Sequence, residues 1–130
     1  MPGYEDMKEP FAIALAAVLV TGCWGQELVC PQILTPGVAV EVRDAFDNST
    51  IASGSKLVAQ AGAYADSMSL PVGQPELNTA HLTGAYQPGT YTLTVTKTGY
   101  QPWIQTNVIV TAARCGVNLT TFTALLRAAP

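Results

Sequence analysis

Residues 90–96 read TYTLTVT, and this stretch decides the fold class. Tyr91, Leu93 and Val95 alternate with four threonines. A period of two puts the large side chains on one face and the hydroxyls on the other, the mark of a half-buried strand. Threonine and valine also favour the pleated backbone because their branched side chains pack well on it. Before this strand, Pro88-Gly89 reads as a type II turn with Gly89 supplying positive φ. After it, Lys97-Thr98-Gly99 reads as a second turn, with Gly99 in the same role.

The same alternation recurs on both sides. From Gly37 onward, Val38, Val40 and Val42 point one way while Ala39, Glu41 and Arg43 point the other. Residues 44–49 (DAFDNS) then form a turn, since Asp and Asn side chains can bond their own backbone. Residues 55–60 read as a short strand, Gly62 as a bend and 63–68 as another extended piece. Pro71, Gly73 and Pro75 make 70–78 a loop. Residues 80–86, 103–111 and 116–126 complete the set. Helical periodicity is absent throughout this body. About seven short strands with turns at short intervals indicate an all-β sandwich.

The N-terminal segment is of another kind. Residues 11–21 (FAIALAAVLVT) hold eleven residues without charge. That is the length of a signal-peptide core and too short to span a bilayer as a helix. Lys8 supplies the positive flank, with Glu9 partly offsetting it. The preceding MPGYED is acidic and fits such a flank badly, so Met7 rather than Met1 is the expected translational start. The segment closes on Val20-Thr21-Gly22-Cys23, which resembles the bacterial lipobox. Small residues let the peptidase fit the extended chain, and the Cys23 thiol takes the diacylglycerol before cleavage. Three acyl chains anchor stably where one is marginal. The expected organisation is therefore a signal peptide at 1–22, a tether at 23–36, a sandwich at 37–126 and a tail at 127–130. Trp24 follows the cysteine, so no inner-membrane retention signal of the enterobacterial kind is present. This points to the outer membrane in a Gram-negative envelope.

The three cysteines fit this reading. If Cys23 carries lipid, Cys30 and Cys115 remain as a pair, and export places them where a disulfide persists. Closing a loop of about 85 residues is worth roughly 4–5 kcal/mol in the chain-entropy picture, before any native strain. Neither cysteine has CxxC spacing or a metal-ligand companion, which argues against redox or zinc chemistry.

Charge and composition exclude several function classes. Charged residues are 12% and hydrophobic residues 48%, a globular rather than a disordered balance. Removing residues 1–22 leaves 108 residues, with five basic and six acidic side chains and a net charge of −1. There is no basic run for a nucleic-acid backbone. A chain of this size supports one modest core, so a disulfide staple is reasonable.

The stretch PGTYTLTVTKTGYQPW at 88–103 resembles the carboxypeptidase regulatory-like domains. Their hallmarks are a Pro-Gly turn, a Tyr-x-Leu/Val-x-Val strand and a following Gly-Tyr, here Pro88-Gly89, Tyr91 to Val95 and Gly99-Tyr100. The strand at 37–44 and Gly62-Ala63-Tyr64-Ala65-Asp66-Ser67 also look like members found in bacterial lipoproteins. The resemblance covers roughly residues 37–126. It implies a seven-stranded prealbumin-like β-sandwich and is nearly silent about activity. Relatives of this fold that hydrolyse 5-hydroxyisourate need histidines, an arginine and a terminal Tyr-Arg-Gly-Ser. This chain has a single histidine and reads LLRAAP at 125–130, so that activity is not expected.

Candidate sites are few. His81 lacks a nearby nucleophile or second ligand in sequence and reads as a strand residue. Asp66 beside Ser67 offers a carboxylate and a hydroxyl for a cation or polar ligand, or for neighbouring backbone groups. Trp103 with Tyr64, Tyr86 and Tyr100 offers a platform for sugar rings, or core and rim packing. Tyr64, Asp66 and Trp103 are the candidate ligand contacts. Asn48-Ser49-Thr50 and Asn118-Leu119-Thr120 match the glycosylation sequon and read as coincidences in a lipoprotein. No catalytic residue, metal or cofactor is expected. The expected role is non-catalytic binding or support in the cell envelope, through an envelope protein or a glycan, with the membrane reached by the lipid anchor.

Overall fold

A computed structural model of the chain describes Cys30 and residues 34–130. The expected signal helix at 1–22, the lipidation at Cys23 and most of the tether at 23–36 fall outside the described residues. The body is built from β1 (Val38–Asp44), β2 (Ser55–Ala61), β3 (Tyr64–Ser69), β4 (His81–Gly84), β5 (Gly89–Lys97), β6 (Trp103–Val110), β7 (Ala112–Ala113), β8 (Gly116–Val117) and β9 (Thr120–Leu126). One turn of 3-10 helix, Pro75–Leu77, lies in the loop after β3.

Two sheets face each other in a sandwich-like arrangement. One has the strand order β4-β1-β9, the other β3-β2-β5-β6, and β7-β8 form a small ribbon. β1 runs antiparallel to β4 and parallel to β9, so it is the central strand of its sheet. The alternation read in the sequence sets which side is dry. Val38, Val40, Val42, Leu57, Ala59, Leu82, Leu93, Val95, Ala124 and Leu126 are all buried between the sheets. Tyr91 joins them, only 1% exposed. The threonines at 90, 92 and 96 lie on the exposed face of β5.

Four sequence expectations need correction or refinement. The described chain has nine strands, against about seven expected. The segment 116–126 is not one strand: a tight turn at Arg114 and Cys115 folds β8 onto β7. Gly116 at φ 108° permits that turn. Asn118 then ties the chain to Thr111, its backbone N–H donating to the Thr111 carbonyl at 3.0 Å and its side chain to the Thr111 hydroxyl at 2.8 Å. The turn before β5 also differs. Gly89 is absent from the positive-φ residues and opens β5 itself, whereas Ala85 takes φ 62° at the end of β4. Gly99 does adopt positive φ, 87°. Finally, β4 begins at His81 and ends at Gly84, shorter than the expected 80–86.

β6 carries an irregularity that fixes its packing. Tyr91 pairs with Val108 and Leu93 with Gln105, so three steps on β6 oppose two on β5. Asn107 takes φ 57° in this β-bulge. Trp103 and Gln105 precede the bulge with odd numbers on the inner side, whereas Val108 and Val110 follow it with even numbers. The extra residue resets the alternation, burying both valines and leaving Ile109 67% exposed.

Candidate functional site

The sandwich has two open margins, one where β3 meets β4 and one where β6 meets β9. Tyr64 and Asp66 sit on β3, opposite Ala61 and Ala59 of β2. That register turns both inward, and each is half-buried. The Tyr64 ring meets Tyr91 edge to face, with centroids 6.0 Å apart and planes at 82°. This is the favoured aromatic geometry for packing. The Asp66 Oδ2 accepts the Ala85 backbone N–H at 3.2 Å. The carboxylate therefore crosses between the sheets and holds the residue in positive φ.

Trp103 begins β6 opposite Val95, also on the inner side, and packs against the core. Two strands, β2 and β5, separate β6 from β3. With about 4.8 Å per strand and a four-residue offset along the strands, since Tyr64 is level with Tyr91 and Trp103 with Val95, Tyr64 and Trp103 lie roughly 20 Å apart. Tyr86 belongs to the β4 side, where its hydroxyl lies 3.4 Å from that of Thr83. Tyr100 belongs to the opposite margin and bridges to Ala128. The four aromatics are thus divided between margins and do not form one platform.

Ser67, Asp66 and His81 are not brought together. Ser67 points outward from the four-stranded sheet, while its neighbour Asp66 points inward. His81 is exposed on the outer side of the other sheet, opposite Glu41. Among the described residues, no group of three His, Cys, Asp or Glu is arranged to hold a metal ion. Of the sequon residues, Asn48 serves the turn after β1 at φ 63° and Asn118 is tied to Thr111.

Sequence reasoning missed the Asp44–Tyr100 pair. The Tyr100 hydroxyl donates to Asp44 Oδ2 at 2.9 Å. Asp44 Oδ1 accepts the Phe46 backbone N–H at 2.7 Å, so one carboxylate organises both the 44–49 turn and the 97–101 turn. That bond to Asp44 pushes the Tyr100 phenol above its ordinary pKa. Burial does the same for Tyr91, whose hydroxyl donates to the Gln87 carbonyl at 2.7 Å. Beside the pair is an open depression of about 660 Å³ lined by Asp44, Ala45, Phe46, Gln101, Arg127 and Ala128. Phe46 is 97% exposed at its rim. A ring, a guanidinium and a carboxylate can take a ligand by contact and hydrogen bonding. They include no nucleophile paired with a base.

Glu41 and Arg43 form an ion pair on the outer side of β1, with Arg43 Nε 2.9 Å from Glu41 Oε1. The hydrogen bond from Arg43 holds the Glu41 carboxyl below its usual range. Arg43 also donates to the Asn48 carbonyl at 2.7 Å, bracing the turn. This is structural use of charge on a surface where such pairs contribute little.

Cys30 and Cys115 are joined in a disulfide. Cys115 lies in the β7–β8 turn. No family model matches the chain, and no curated protein matches it.

Proposed function

We propose that this chain is a lipid-anchored β-sandwich of a bacterial cell envelope, of the carboxypeptidase regulatory-like, prealbumin-like type, with a non-catalytic binding or supporting role. The observation that carries the reading is the Cys30–Cys115 disulfide. Such a bond persists in an oxidising compartment and is rare in a cytosol. It also accounts for two of three cysteines, and the odd one, Cys23, is the residue that ends the lipobox. The resemblance at 88–103 adds the fold type. Seven of the strands lie in two sheets, three and four strands each, which is compatible with that type.

The experiment is metabolic labelling with a palmitate analogue in a bacterial host, followed by membrane fractionation. The wild-type chain should take label and sediment with membranes. Cys23→Ser should take no label and leave the membrane fraction. A wild-type chain that stays unlabelled, or a Cys23→Ser chain that remains labelled, refutes the anchor. Recovery of envelope partners from detergent extracts through the anchored protein then tests the binding role. A deletion with no envelope phenotype, combined with no partner recovered, would remove it.

A further inference from the structure

We propose that the depression between the 44–46 turn and the chain at 127–128 binds a short peptide with free ends, its carboxylate on Arg127 and its ammonium on Asp44. The proposal names a ligand class for the binding role given above; it rests on that role and not on the anchor. The topology creates the site. β1 and β9 run parallel up to Asp44 and Leu126, and the Ala45 N–H, donating to the Leu126 carbonyl at 2.8 Å, prolongs the ladder. The next rung of a parallel ladder would take the Ala128 N–H to the Ala45 carbonyl. It is not made, because the chain beyond Leu126 crosses to the other sheet. There the Gln101 N–H donates to the Arg127 carbonyl at 2.8 Å and the Ala129 N–H to the Gly99 carbonyl at 2.9 Å. Where the backbones part, the depression of about 660 Å³ opens, with Asp44, Ala45 and Phe46 from the turn and Gln101, Arg127 and Ala128 from the crossing chains. Its size is that of a small-molecule site.

The groups that line it are unspent. The Arg127 guanidinium and the Gln101 side-chain amide have no hydrogen-bond or ion-pair partner among the described residues. Asp44 shares the depression with Arg127 without pairing to it. Its oxygens accept from Tyr100 and from the Phe46 N–H, yet a carboxylate has about four acceptor positions and keeps its charge. The Ala45 carbonyl and the Ala128 N–H, the two halves of the missing rung, also lack a partner among the described residues. The turn leaves the Phe46 ring outside the core, beside these charges. A second depression of about 250 Å³ shares Gln101 and Arg127 and is flanked by Ile104 and Leu125, which are 59% and 47% exposed. Arg127 therefore stands between two apolar patches.

Charge complementarity selects the occupant. A simple anion drawn to Arg127 also meets the Asp44 carboxylate, and a simple cation drawn to Asp44 meets Arg127. A neutral sugar can cover the Phe46 ring, but it shields both charges from water without compensating either, which is costly. A peptide with free ends carries both opposite charges on one extended backbone. Its carboxylate can take the guanidinium in a charge-assisted bond, and its ammonium can reach Asp44. Its own amides can supply the partners that Ala45 and Ala128 lack. The first side chain then lies on Phe46, and the last lies past Arg127 against Ile104 and Leu125. Apolar residues at both ends of the peptide fit this order best.

The test is calorimetric titration of the full chain in detergent with the tripeptide Leu-Ala-Leu. Saturable binding is expected. Amidating the peptide's carboxyl end or acetylating its amino end should each weaken it about tenfold, the loss of one charged hydrogen bond. Arg127→Gln should weaken the free peptide by a similar factor and leave the amidated peptide unaffected, which a general loss of structure would not do. Phe46→Ala should weaken all three peptides alike. Asp44 is probed from the ligand side because its substitution would also release Tyr100 and the turn. No saturable binding at millimolar peptide overturns the proposal. So do blocked peptides that bind as well as the free one, or an Arg127→Gln chain with unchanged affinity. Saturable binding of chitotriose with the peptide inert overturns it as well and assigns the depression to a glycan. Recovery of envelope partners through a chain that ignores the peptide would leave the binding role standing without this site.

Discussion

Ala85 is held at φ 62°, a conformation that costs a non-glycine residue about 1–2 kcal/mol. Its methyl is fully buried and its N–H is satisfied by Asp66. Asp66→Ala should therefore destabilise the fold by about 1–3 kcal/mol in urea titration, because a donor is left unpaired beside a strained residue. A change within a few tenths would show that the carboxylate does not support Ala85. The two buried-side phenols give a second prediction. Tyr91 and Tyr100 are both pushed above the ordinary tyrosine pKa, by burial and by the Asp44 bond respectively. Their neutral forms are favoured in the fold, so their contribution is complete below the unfolded pKa and is lost as pH rises through the folded values. Ultraviolet titration should show a late-ionising group of tyrosines, reduced by Tyr91→Phe. Loss of structure should follow at alkaline pH, above about 10. Neither pair was legible in the sequence. Asp66 and Ala85 are far apart along the chain, as are Asp44 and Tyr100, and nothing in their local patterns couples them.

At the scale of elements, alternation was the reliable signal. β1 and β5 stand where Val38 to Val42 and Tyr91 to Val95 predicted them, because a period of two maps directly onto burial, and β2 stands where 55–60 was read as a strand. The failures occur where the period breaks. In β6 the sequence WIQTNVIV supports either phase, and only the bulge at Asn107 decides that Val108 and Val110 are inside. Deleting Asn107 should turn both valines outward or force β6 out of register. The expected outcome is a chain that fails to give a cooperative thermal transition; an intact melt would show that the bulge is dispensable. Asn107→Gly should be neutral to stabilising by up to about 1 kcal/mol, since glycine takes positive φ without a steric penalty. The split of 116–126 into β8 and β9 was equally hidden, because Gly116 can occupy a strand or a turn. The pairing of Cys30 with Cys115, by contrast, followed from counting.

At the scale of the molecule, Cys30 and Cys115 are disulfide-bonded. Replacing both cysteines with alanine should lower stability by about 2–5 kcal/mol, read from the urea midpoint. A loss below 1 kcal/mol would mean that the sandwich holds itself without the staple. The role of the candidate site was the least legible part. Tyr64, Asp66 and Trp103 are polar or aromatic in sequence, but register alone sends all three inward. The parallel pairing of β1 with β9 has a kinetic consequence. The central strand of one sheet stays half-paired until residues 120–126 are present, since Val38 meets Thr120 and Asp44 meets Leu126. Contacts of such long separation form late and slowly. A chain emerging from the ribosome cannot complete this sheet until synthesis has passed Leu126. Truncation before Thr120 should accordingly leave a protease-sensitive chain rather than a smaller sandwich.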